Sequence, residues 1–163
     1  MIREVTEDDA KKIADIYNHY VQNTTATFEE HPVSAQEMEQ RIEKVQQSGL
    51  PWLVFELGDS ILGYAYASVW NQRTAYRYTV ETSVYLTSEA AGQGFGAELY
   101  QQLLDKLRDL SIRNVLSVIT QPNPNSVALH ESLGFKKAGE FSNVGYKFDK
   151  WLSVGYWQLQ MFN

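Results

Sequence analysis

The chain contains no cysteine. This excludes disulfides, thiolate metal sites and a cysteine nucleophile, and it fits a reducing cytoplasm, the compartment expected for this protein. Histidine is scarce, with three residues and no H-x-x-x-H spacing, so no metal site is expected. Positive charge is in deficit. The formal net charge of −6 argues against broad nucleic-acid or anionic-membrane binding, while leaving room for a local positive pocket. No apolar run approaches the roughly 20 residues that span a bilayer. The start Met1-Ile2-Arg3-Glu4-Val5 does not read as a signal peptide. No linker, repeat or low-complexity tract divides the chain, so residues 1–163 are read as one domain.

What is present suits a globule. The 163 residues are 44% hydrophobic and 13% aromatic, enough for one buried core. A short strand is expected at 2–6. Thr6-Glu7-Asp8-Asp9 has the form of a capping box, and Ala10, Ile13, Ala14, Tyr17, Tyr20 and Val21 share one helical face after it. Ser34-Ala35-Gln36-Glu37 opens a second helix, striped by Met38, Ile42 and Val45 and ended by Gly49 and Pro51. Strands follow at 52–57 and 60–70 around a Gly58-Asp59 turn, and again at 78–86. A helix is expected at about 95–110, with Leu99, Leu103, Leu107 and Leu110 on one side. The run Val115 to Ile119, apolar apart from Ser117, reads as a buried central strand. A helix at about 125–133 stops at Gly134, and aromatic-rich strands near 135–142 and 152–162 close the chain. This order is an α+β layout with a mixed sheet and helices on both faces.

The most informative stretch runs from Val84 to Ala97. An apolar strand enters a polar turn with glycines at 92, 94 and 96, and a periodic helix starts at once. Glycines admit a ligand close to the backbone, and the first helical turn offers unpaired N–H groups and a positive dipole end. The combination is an anion cradle suited to a pyrophosphate. A P-loop would need Gly-Lys-Ser/Thr where Gly96-Ala97-Glu98 stands. A dinucleotide fold fits Gly92, Gly94 and Ala97 but lacks the ribose-binding acid, since the next strand ends Val118-Ile119-Thr120-Gln121.

Ala91-Gly92-Gln93-Gly94-Phe95-Gly96 resembles the Q/R-x-x-G-x-G/A pattern of the GNAT superfamily of N-acetyltransferases, with Ala91 in the usual Gln/Arg place. The order of elements is also that of the GNAT fold. The resemblance implies a mixed, mostly antiparallel sheet of about seven strands. It implies acetyl-CoA as co-substrate, lying along Val84, Tyr85 and Leu86 with its pyrophosphate on Gly92, Gln93, Gly94, Phe95, Gly96 and Ala97. Pro124-Asn125-Ser126-Val127-Ala128-Leu129-His130-Glu131-Ser132-Leu133-Gly134-Phe135 resembles the family's N-x-x-A-x-x-L-Y-E-K-x-G-F segment. That assigns the pantetheine arm to Asn125 and its neighbour Ser126, and puts His130 where the family Tyr protonates the departing thiolate.

A His at that place is similar to the phosphinothricin N-acetyltransferase group. Residues 25–32 resemble that group's N-terminal loop, 73–85 its R-x-A-Y-R-x-T-V-E-x-S-V-Y segment, and 144–152 its V-G-F/Y-K-x-G-R-W-L-D segment, whose last position falls at 153. Asp149 and Ser153 depart from the last pattern. The resemblance implies acetylation of the amino group of a small amino-acid analogue, by direct transfer in a ternary complex, and a homodimer. Trp151, Tyr156 and Trp157 are the expected interface aromatics. A polyamine, an aminoglycoside or a protein N-terminus as acceptor, or a non-catalytic acyl-CoA-binding module, remain open at this point.

Acetyl transfer to an amine needs a base, because the amine is mostly protonated at neutral pH. Glu81, on an otherwise small and apolar strand, is the candidate; pairing with Arg77 is the competing expectation. His130 is the candidate relay or acid. Arg73 and Arg77 have the geometry to hold a carboxylate or phosphinate. Phe28, Tyr76 and Lys147 complete the expected substrate site.

Overall fold

A computed structural model describes residues 1–161. Its strands are β1 (Ile2–Glu4), β2 (Trp52–Leu57), β3 (Ser60–Val69), β4 (Thr79–Leu86), β5 (Asn114–Gln121), β6 (Lys136–Lys147) and β7 (Lys150–Gln160). Its helices are α1 (Ala10–Asn23), α2 (Ala35–Gln47), α3 (Phe95–Asp109) and α4 (Pro124–Ser132). The strands form one sheet in the order β1-β2-β3-β4-β5-β7-β6, in which only β4 and β5 run parallel. The class read from the sequence, α+β with a mixed, mostly antiparallel sheet and helices on both faces, holds.

Two apolar clusters sandwich the sheet. On one side α1 and α2 bury Ile13, Tyr17, Val21, Met38 and Ile42 against Trp52, Val54 and Tyr64. On the other, α3 buries Leu99, Leu103, Leu104 and Leu107 against Leu53, Ala65, Val80 and Val115. Tyr64 and Ala65 thus face opposite clusters, as the strand's two-residue period requires. Leu110, counted into the α3 stripe, is instead 47% exposed, because the helix has ended at Asp109.

Start signals behave as their chemistry predicts. Asp9 accepts from the Thr6 N–H at 2.8 Å and is gripped by Arg3 at 2.8 and 2.9 Å, which holds the Asp9 carboxyl below the usual range. A single 3-10 turn, Glu7–Asp9, precedes α1. Ser34 caps α2 by accepting from the Glu37 N–H at 3.1 Å.

The last two strands depart from their sequence signal: β6 is longer, and β7 starts two residues earlier and ends two earlier than expected. They form a hairpin whose turn residues Phe148 and Asp149 both sit at positive φ, 53° and 58°. Aspartate tolerates that conformation, so Asp149 serves where the related pattern has glycine. The expected final strand at 152–162 stops at Gln160, and its last position, 162, lies outside the described residues. Trp157 is not an exposed interface residue: it is 2% exposed and belongs to the α3-side core. Trp151, at 66%, is exposed.

Candidate active site

The site is a consequence of one break in the sheet. Strands β4 and β5 are paired only at Thr79↔Asn114, Val80↔Val115 and Glu81↔Leu116. Beyond Glu81, β4 stays on β3 out to Leu86, and β5 stays on β7 out to Gln121, so the two diverge. A cleft of about 580 Å³ occupies the gap. Thr82 to Leu86 form one wall and Ser117 to Thr120 the other. The glycine turn and Asn125, Ser126, Leu129 and His130 of α4 close the α3 side, while Tyr20 and Ala26 border it at the α1 end.

The glycine turn is built to receive an anion. Gly92 and Gly94 have φ of 76° and 83°, and a Cβ at either would meet nothing within 4 Å. Their left-handed backbone favours glycine. The first helical bond of α3 runs from the Glu98 N–H to the Gly94 carbonyl. The N–H groups of Phe95, Gly96 and Ala97 therefore lack helical acceptors. Gly96 is small for a packing reason: its Cβ would stand 3.1 Å from Leu86 Cδ1. A pyrophosphate fits this chemistry. Gln93 is turned back to the Glu89 carbonyl at 2.6 Å, and the Phe95 ring packs on Phe55 at 4.5 Å, so only their main chains face the turn.

Glu81 is the last β4 residue paired with β5, at the closed end of the gap. Thr82 packs against Tyr100, so Glu81 projects from the other face, towards Tyr66. Among the described residues it makes no hydrogen bond or ion pair. Burial alone pushes its carboxyl above the ordinary range. The competing pairing with Arg77 does not occur: Arg77 donates to the Thr74 carbonyl at 3.0 Å and lies over the Tyr78 ring.

His130 is 2% exposed and lines the cleft. Its Nδ1 is 2.7 Å from the Ser126 carbonyl and its Nε2 is 2.8 Å from Ser117 Oγ. Desolvation pushes the imidazole below its usual value, which favours the neutral ring, and the Ser126 carbonyl partly offsets this. Asn123 caps α4 by accepting from the Ser126 N–H at 3.2 Å, which frees Asn125 to face the cleft.

The substrate-side residues are dispersed. Arg73, Tyr76 and Arg77 lie on the exposed segment before the closed end of β4, and none lines the cleft. Tyr76 packs edge-on against Trp70. Phe28 lies flat on Gly145, leaving no room there for a Cβ. Lys147 is 1% exposed, and its ammonium donates to the Thr24 and Thr27 carbonyls at 2.7 and 2.8 Å. It ties the loop carrying Ala26 to β6. The same loop is held from the other side by Glu29, which accepts from both Arg41 nitrogens and from the Tyr17 hydroxyl. Lys147→Met, which keeps the stem and removes the charge, is expected to cost about 2–4 kcal/mol by orphaning two carbonyls. Denaturant unfolding would measure this, and amide exchange would localise the loosening to 24–29; unchanged protection there would exclude the tether.

Among the groups that sequence reasoning missed are Ser117 and Thr82, which line the cleft, and Tyr100 behind them. Ser117 carried a signal, as the lone hydroxyl in an apolar strand. Tyr100 carried none, since an aromatic in a helical stripe reads as core.

A parted parallel strand pair with a glycine-capped helix beneath it defines an acyl-coenzyme A type transferase site. The Acetyltransferase (GNAT) domain family matches residues 2–153, and the chain belongs to that family. It is 39% identical over 157 residues to phosphinothricin N-acetyltransferase of Streptomyces viridochromogenes, covering 96% of this chain and 85% of that one. It is 35% identical to the L-methionine sulfoximine/L-methionine sulfone acetyltransferase of Salmonella typhimurium, covering 98% and 94%. The crystal structure of a phosphinothricin acetyltransferase from Sinorhizobium meliloti in complex with acetyl-CoA superimposes with a TM-score of 0.95 at 37% identity, covering 99% of this chain and 88% of that one. No described helix is long and apolar enough to cross a membrane.

Proposed function

We propose that the protein transfers the acetyl group of acetyl-CoA to the amino group of a small amino-acid analogue of the phosphinothricin or methionine sulfoximine and sulfone type, with both substrates bound together. The observation that carries this reading is the gap itself, with a glycine anion cradle at one end, and a half-buried carboxylate with no side-chain partner, Glu81, at the last strand pair before it opens. The relatives' activities and the four matched segments support the choice of acceptor.

Acetyl-CoA, when bound, supplies an acyl group already activated as a thioester. Gly92, Gly94 and the first turn of α3 hold its pyrophosphate, and the main chain of Val84 to Leu86, with Asn125 and Ser126, guides the arm. N–H groups of β4 left without a partner strand are the donors for charge that develops on the thioester oxygen. Glu81 accepts the first proton of the acceptor's ammonium group. Its carboxyl is raised by burial, so activity is lost on acidification at a pH above the ordinary carboxylate range.

The protein acts as a homodimer in this reading. The exposed aromatic face of the β6–β7 hairpin that carries Tyr146 and Trp151 is the contact surface.

The test is thiol release from acetyl-CoA with phosphinothricin, methionine sulfoximine, methionine sulfone, spermidine, an aminoglycoside and a peptide as acceptors. Turnover on the first three is expected. Turnover only on a cationic acceptor would overturn the acceptor class. Tight acetyl-CoA binding without any turnover would make the protein a binding module.

A further inference from the structure

Both ring nitrogens of His130 are occupied inside the protein, and this constrains how the imidazole reaches the cleft. The nearest partner of Nδ1 is a carbonyl oxygen, Ser126 O at 2.7 Å, which only accepts; the Ser126 hydroxyl stands farther off at 3.4 Å. Nδ1 therefore carries the hydrogen. The neutral ring then presents a lone pair at Nε2, and the Ser117 hydroxyl, 2.8 Å away, must be its donor. Behind Ser117 lies the Tyr100 hydroxyl, which bonds the Thr82 hydroxyl. Ser117, Thr82 and His130 line the cleft, whereas Tyr100 does not. Ser117 and His130 are 3% and 2% exposed, so this is a built connection and not a surface contact.

We infer that Ser117 is the proton-carrying link between His130 and the reacting sulfur. This rests on the acetyl-transfer reading above. An ammonium acceptor gives up two protons on becoming an amide nitrogen with one hydrogen. Glu81 takes the first. The second is released as the C–N bond forms, and one proton is taken up by sulfur as the C–S bond breaks, so the relay needs no outside donor. Ser117 Oγ receives the released proton while passing its own to His130 Nε2. The imidazolium then donates from Nε2 to Ser117 Oγ, and the hydroxyl turns its hydrogen to the sulfur. The direction of one hydroxyl thus follows the charge state of the ring behind it.

The test uses the full chain. Nitrogen-15 NMR of the protein without substrates should find His130 protonated at Nδ1 and bare at Nε2. In Ser117→Ala the Nε2 resonance should move while Nδ1 stays. With substrates, Ser117→Ala should lower kcat by about 10- to 100-fold, water replacing the hydroxyl imperfectly, with both KM values within about threefold. Single-turnover rates in mixed H2O and D2O should curve for the wild type and become linear in the variant. Tyr100→Phe should lose less than about threefold, because the relay ends at Ser117. A protonated Nε2, an unchanged kcat in Ser117→Ala, or an equal loss in Tyr100→Phe would overturn the relay. Failure of the underlying reading is separable: the wild type would then release no thiol with any acceptor, whereas full turnover in His130→Asn would overturn the relay alone.

Discussion

Glu81→Gln is expected to reduce kcat by about 10²- to 10⁴-fold, with the acetyl-CoA KM changed by less than about threefold. Glutamine preserves the shape but cannot take a proton. Nothing structural is lost with the charge, since Glu81 holds no hydrogen bond or ion pair among the described residues. The accompanying stability change runs the other way. A carboxyl raised in the folded protein binds protons more tightly there than in the unfolded chain. Its ionisation therefore costs stability as pH rises through the window between the two values. The glutamine variant should unfold at an equal or higher temperature at neutral pH, and its pH–rate profile should lose the acidic limb that Glu81 sets. A variant with wild-type kcat and an unaltered acidic limb would remove Glu81 from the chemistry.

Gly94→Asp should weaken acetyl-CoA binding by about 30- to 150-fold, the equivalent of about 2–3 kcal/mol, from one added negative charge a few ångströms from a pyrophosphate in a partly desolvated cradle. Gly94 has φ of 83° and open space where a Cβ would go. Aspartate visits the left-handed region at modest cost. At the N-cap of α3 its carboxylate also stabilises the helix. Melting temperature should therefore change little while coenzyme affinity collapses, and the loss should shrink as salt screens the repulsion. Calorimetric titration with acetyl-CoA at two ionic strengths measures both. Affinity equal to the wild type would displace the pyrophosphate from this turn.

Much of the fold was legible because it rests on local chemistry. Ser34 and Thr6–Asp9 mark helix starts through bonds they make with their own neighbours, and the period of β3 assigns Tyr64 and Ala65 to opposite faces. The glycine turn was legible for the same reason, as backbone conformation and dipole are properties of a short segment. What escaped depended on pairing between distant segments. The length of the β6–β7 hairpin follows from two residues, Phe148 and Asp149, adopting positive φ, which Asp149 tolerates but Phe148 does not announce. Trp157 counts as an exposed aromatic until β7 is placed between β5 and β6, where it turns into the core. Lys147 carries a charge that suggests a substrate contact, yet its partners are carbonyls more than a hundred residues earlier in the chain. The link between Ser117 and His130 joins β5 to α4 and is invisible until both are docked.

The parting of β4 and β5 places two unpaired strand edges in the middle of the sheet. Free edges ordinarily recruit other chains and promote aggregation. Here the edges face each other across a slot walled by α4, the glycine turn and Tyr20. An elongated ligand with amide groups of its own can enter and satisfy them, acting in effect as a substitute strand. Ligand occupancy then does more than fill a site, because it bridges the gap between β4 and β5. Thermal stability should accordingly climb with the concentration of such a ligand, and the largest gain in amide-exchange protection should fall on Thr82–Leu86 and Ser117–Gln121, on both sides of the slot.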